Sequence, residues 1–110
     1  MRNIVGIGAA GCAIADAFTV YPQYKVYKID SASDEFQGSN YLKIKKRKTM
    51  ESYEKSSLSL KKFFKPIKDD VLVVIGGSGK ISGITLKVLE NLQHCKTSVM
   101  YIKPDLTSGS

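Results

Sequence analysis

Acidic residues are scarce in this chain: 10 Asp and Glu stand against 17 Lys and Arg, a net charge of +7 over 110 residues. There is one histidine, His94, and there are two cysteines, Cys12 and Cys95, in no zinc-ligand spacing and no disulfide framework. That excludes a metal-stapled or disulfide-stapled miniature fold and suits reduced thiols in the cytoplasm. No apolar run approaches the roughly 18 residues a membrane helix requires, and the opening stretch is broken by Gly6, Gly8 and Gly11 and followed by Asp16, so no signal peptide is expected. The expectation is a soluble cytoplasmic protein that makes no use of the membrane. Internal repeats and low-complexity segments are absent too. The basic excess concentrates at Lys43, Lys45, Lys46, Arg47 and Lys48 and again at Lys61, Lys62, Lys65 and Lys68. Such a patch can attract nucleic acid or another polyanion, or can be a solvated face, and no helix-turn-helix, zinc-finger or ribonucleoprotein motif accompanies it.

The apolar residues alternate between strand and helix periods. Residues 3–7 read as a strand and 9–18 as a small-residue helix with Ala10, Ala13, Ile14, Ala17 and Phe18 on one stripe. The YPQ triplet at 21–23 breaks it, and 24–29 read as a second strand closed by Asp30. Residues 31–36 read as a turn or short helical segment, and 41–45 as a half-exposed edge strand. From Thr49 to Ile67 an amphipathic helix is expected, stopped near Lys65 by Pro66. Residues 71–75, five apolar residues in succession, imply a strand covered on both faces. A helix over about 82–94 follows, with His94 in a capping role at its end. Residues 98–102 read as another buried strand, stopped by Pro104.

Strands separated by helices imply parallel pairing through right-handed crossovers. The expected fold is therefore α/β: a doubly wound, mostly parallel sheet of about five strands, Rossmann-like in the order 3-2-1-4-5, with helices on both faces. One domain over 1–106 with a small polar tail at 107–110 accounts for the length. In such a sheet ligands bind at the carboxyl ends of the strands, where strand order reverses.

Two glycine clusters lie at such ends. GIGAAG, Gly6 to Gly11, matches G-x-G-x-x-G between a strand and a helix, where backbone N–H groups and a helix amino terminus attract phosphate. Glycines kept only for close helix–strand packing would leave the same pattern. Asp30 follows the last of these glycines by about 20 residues, as the ribose-binding carboxylate of a dinucleotide fold does. The second cluster is Gly76, Gly77, Ser78, Gly79 and Lys80. It fails as a Walker A loop, because the position five residues before Gly79 is Val74 and Ile81 stands where the Ser or Thr belongs.

In this order of elements the chain resembles the amino-terminal half of the GTP-binding domain of the tubulin/FtsZ family. NIVGIGAAGCAIADAF matches the family's opening strand and glycine-rich loop, and VYKIDSASDEF its second strand and ribose-contacting loop. YLKIK and ESYEKSSLSLKKFFKPI resemble the short third strand and the charged helix. IGGSGKISG stands where the family has GGGTGTG, and VMYIKPD fits the end of its fifth strand. The resemblance runs over essentially the whole chain. It implies that Gly8, Ala9, Ala10, Gly11 and Cys12 face the α- and β-phosphates, with Gly6 leading into that loop. Gly76, Gly77, Ser78, Gly79 and Lys80 would wrap the phosphates from the other side, with Ser78 or Ser82 adding a hydroxyl. Asp30, or Ser31 and Asp34, would approach the ribose or a metal-bound water, and Pro104 and Asp105 would lie near the sugar. The sequence departs from the family at Lys80 and Ile81, where small residues are usual, and at Ala9 and Ala10, which narrow the first loop.

The ligand implied is GTP or GDP, with Mg a candidate companion. In the family, hydrolysis uses acidic residues beyond the fifth strand, supplied in trans, and this sequence contains no counterpart. The expectation is a guanine-nucleotide-binding module of cytoskeletal ancestry without autonomous GTPase activity and with no catalytic residue of its own. Two other readings stay open: an NAD or NADP dinucleotide-binding domain, on Gly6, Gly8, Gly11 and Asp30, and a basic, non-catalytic interaction protein using Lys43, Lys45, Lys46, Arg47 and Lys48. The fifth strand is further expected to leave an apolar sheet edge that favours self-association.

Overall fold

A computed structural model describes residues 2–30, 40–43, 60–76 and 83–102. Its strands are β1 (Arg2–Ile7), β2 (Tyr24–Asp30), β3 (Tyr41–Lys43), β4 (Asp70–Gly76) and β5 (Lys96–Ile102). They form one sheet in the order β3-β2-β1-β4-β5, every neighbouring pair parallel. The doubly wound α/β fold expected from the alternation of periods is therefore the fold observed. The order reverses between β1 and β4, which pair from Asn3 opposite Val71 to Ile7 opposite Ile75.

The described helical segments are α1 (Gly8–Asp16), a 3-10 turn at Ala17–Val20, α2 (Lys61–Phe64) and α3 (Thr85–Asn91). Helical backbone at the first stretch runs from Gly8 through the 3-10 turn to Val20, and α3 ends at Asn91, short of the expected His94. Of the helix expected over 49–67, residues 49–59 lie outside the described residues, as does the segment at 31–36.

Because side chains alternate along a strand, β4 sends residues to both faces. Val71, Val73 and Ile75 join Val5, Ile7, Tyr27 and Ile29 beneath Leu60, Phe64 and Ile67 around α2 and Ile84, Val88 and Leu92 around α3. On the other face Val74, Ile4 and Val26 pack with Ala15 of α1, and Phe18, Tyr24, Leu72 and Ile102 close around them. Helices thus lie on both faces, α1 alone on one of them among the described residues.

The expectation that 98–102 is a buried strand is overturned. No residue of β5 is buried, and Val99, Met100 and Tyr101 are 48%, 46% and 54% exposed. An unbroken apolar run sets strand character; burial also needs something to cover it, and the buried helix residues lie over β1, β2 and β4.

The amino-terminal end of the sheet is tied by Asn3, itself buried, whose Nδ2 donates to the Lys68 carbonyl at 2.8 Å and to the Asp70 carbonyl at 3.0 Å. Between these residues Asp69 adopts φ 69°, and its carbonyl accepts the Lys96 N–H at 3.0 Å. A shallow depression lined by Asp70, Leu72, Lys96 and Ser98 lies at this same end, away from the glycines. His94 does not cap its own helix: it reaches across to donate from Nε2 to the Ile67 carbonyl at 3.0 Å.

Candidate functional site

Parallel strands put all their carboxyl ends on one side, so the turns after β1 and β4 emerge together, beside each other, at the reversal point. β1 passes into α1 with no intervening loop: Gly6 belongs to the strand, and Gly8 opens the helix at φ 79°, a conformation L side chains rarely adopt. The expected loop from Gly6 to Gly11 is thus compressed to a single junction.

Packing accounts for two of these glycines. A Cβ on Gly11 would run into the Val74 carbonyl oxygen, and one on Gly6 would meet the Gly11 oxygen and Ala15. Both keep α1 pressed onto the strands beneath it whether or not a ligand is present. The role left for a ligand falls to the first turn of α1. Its N-cap is Ile7, which supplies no side-chain hydrogen bond, and Ala9 and Ala10 are exposed. The first four N–H groups of a helix have no intrahelical acceptor and carry the positive end of its dipole.

The end of β4 arrives at that same turn. A Cβ on Gly76 would come within 3.2 Å of the Ala10 Cβ and 3.7 Å of the Gly11 nitrogen. Gly76 and the first turn of α1 are therefore brought together, as both glycine clusters required. Gly77, Ser78, Gly79, Lys80, Ser82, Pro104 and Asp105 lie outside the described residues, as do Lys45, Lys46, Arg47 and Lys48; Lys43 ends β3.

Cys12 sits in the second turn of α1 with its thiol turned toward the sheet, donating to the Ile29 carbonyl at 3.3 Å and the Gly6 carbonyl at 3.5 Å. Burial, reinforced by the Asp30 carboxylate, pushes this thiol up to about 12. Its side chain is a buried tether between α1, β1 and β2 and not a group presented to phosphate. Asp30 closes β2 at the carboxyl end of the sheet but is only 4% exposed.

Sequence reasoning missed Lys28 and Asp16. Lys28 Nζ reaches Asp16 Oδ1 at 2.6 Å, with the lysine side chain 9% exposed and the aspartate 48%. Asp16 ends α1, where a carboxylate opposes the helix dipole, and Lys28 offsets that charge. A signal was present: Lys28 shares a strand face with apolar Val26, so its charge falls on a side that packs and calls for a partner.

Among the described residues no group of His, Cys, Asp and Glu could hold a metal ion, and no helix is long and apolar enough to cross a membrane. Comparison of the chain with family models, curated proteins and solved structures found no match.

Proposed function

We propose that this chain binds a nucleotide, by preference a guanine nucleotide, through its phosphates at the junction of β1, α1 and β4. The observation that supports the reading is the convergence of an uncapped, solvent-exposed helix amino terminus with the glycine-terminated end of β4 at the reversal of strand order. Backbone N–H groups there would donate to phosphate oxygens without a dedicated cation. The guanine preference rests on the ordered resemblance to the tubulin/FtsZ family. Magnesium would enter with the nucleotide.

The dinucleotide reading stands second. Asp30 at the end of β2 and the packing role of Gly11 favour it, and the burial of Asp30 ranks it lower, since a ribose-binding carboxylate must face the ligand.

Thermal unfolding with GTP, GDP, ATP, NAD and NADP tests both. A ligand at a hundredfold excess over its dissociation constant stabilises by about 2.7 kcal/mol, a shift of several degrees for a domain of this size. The diagnostic variant is Ala9→Asp. An acidic residue in the first turn stabilises the free helix by roughly 0.3–1 kcal/mol and repels a phosphate from the same N–H groups. The expected outcome is an unliganded melting temperature equal to or above that of the parent, with the GTP shift lost. An NAD shift abolished by Asp30→Asn favours the second reading, and no shift with any nucleotide overturns both.

A further inference from the structure

β5 is an edge strand of a kind that chains which remain single avoid. It is seven residues long, pairs only with β4 among the described residues, and has neither charge nor proline between Thr97 and Ile102. Edges left in this state are templates for another strand; natural sheets blunt them with an inward charge, a proline or a bulge. The opposite edge, β3, is three residues long. Among the described residues nothing buries either face of β5 from Ser98 to Tyr101. Val99 lies in register with Val73 on the α3 side and Met100 with Val74 on the α1 side, and both β5 residues are about half exposed where their β4 partners are buried.

We propose that β5 is where two copies of this chain pair, antiparallel about Met100, so that two five-stranded sheets join into one. The exposed apolar triplet is its own complement in that register. Met100 faces Met100 across the two-fold, Val99 faces Tyr101 twice, and Ser98 faces Ile102. β-Branched residues opposite aromatic ones are among the favourable cross-strand pairs, and no two lysines oppose each other directly. A symmetric contact of this kind closes at two copies. The net charge of +7 on each copy works against association, so pairing strengthens as salt screens it. A partner held by nucleic acid would loosen with salt instead.

Sedimentation equilibrium of the purified chain at low and moderate salt reads this out. The expected mass rises from 12.1 kDa toward twice that value with concentration, and more readily at the higher salt. Val99→Lys, with its far-ultraviolet circular dichroism unchanged, is expected to weaken the dimer by about tenfold or more, because it replaces both Val99–Tyr101 cross-strand pairs and adds a charge to the pairing edge of each copy. In a Cys95→Ser background, Met100→Cys should cross-link to its own copy on mild oxidation, since directly opposed residues have Cα atoms about 4.5–5.5 Å apart, within disulfide range. A mass of 12.1 kDa at every concentration overturns the proposal. So does an assembly that dissolves with salt, a folded Val99→Lys that assembles like the parent, or a dimer whose Met100→Cys form does not cross-link. Nucleotide binding plays no part in these readouts.

Discussion

β4 and β5 lie side by side, both seven residues long and paired residue for residue from Asp70 opposite Lys96 to Gly76 opposite Ile102. Both are apolar at their centres. Yet Val73, Val74 and Ile75 are buried, and their partners Val99, Met100 and Tyr101 stand about half exposed. The difference lies in what packs above and below. β4 carries the weight of α1 on one face and of α2 and α3 on the other, whereas β5 meets neither core apart from Ile102. Two strands of like composition thus do unlike jobs: one anchors the helices and ends at the candidate phosphate site, the other offers an edge.

The most forceful way to break this contrast is to unseat α1. Gly11→Val drives a side chain into the Val74 carbonyl, with no flexible neighbour to yield. It is expected to destabilise the fold by about 3 kcal/mol or more in chemical denaturation, leaving β4 as bare on that face as β5. Next in size is truncation at the registered pair. Val73→Ala should cost about 2 kcal/mol, because it leaves a cavity in a closed core.

The seating of α1 has a pH signature as well. Cys12 has its folded-state pKa raised from 9.0 to about 12 by burial, so its stabilising contribution is complete below pH 9 and is lost as pH climbs toward 12. The unfolded thiol ionises in that window while the folded one does not, so stability should fall by about 1.4 kcal/mol for each pH unit above 9. Cys12→Ala, compared with the parent across pH 8–10.5, should remove that part of the alkaline loss. Smallest of all is Val99→Ala, expected to change monomer stability by no more than about 0.5 kcal/mol, since its neighbourhood is already wet. If Val73→Ala and Val99→Ala cost the same, the contrast between the strands fails.

Much of this fold was legible in the chain. Strand positions follow from short apolar runs, and their parallel order follows from the helical segments between them, because a crossover of that length returns on the same hand. The end of the sheet bearing the candidate site followed as well, since glycines after two parallel strands must share it. Three features resisted. The exposure of β5 depends on where helices land, which an apolar run does not encode. Cys12, expected in the helix over 9–18, was given a place facing the phosphates by the family resemblance; the start of α1 at Gly8 turns its thiol under the helix toward the Ile29 carbonyl. The partnership of Lys28 with Asp16 needed the strand phase combined with coverage on both faces, two facts that become one only in three dimensions.

Asn3 clasps backbone at Lys68, 65 residues further along the chain. β1 is therefore flanked on one side by a neighbour close in sequence and on the other by one that a ribosome delivers much later. A nascent chain holding β1, α1 and β2 has half of its central strand unzipped until β4 emerges. Bringing together segments so far apart slows folding relative to local pairing. The join between β1 and β4 is the one that brings both halves of the candidate phosphate site together at once.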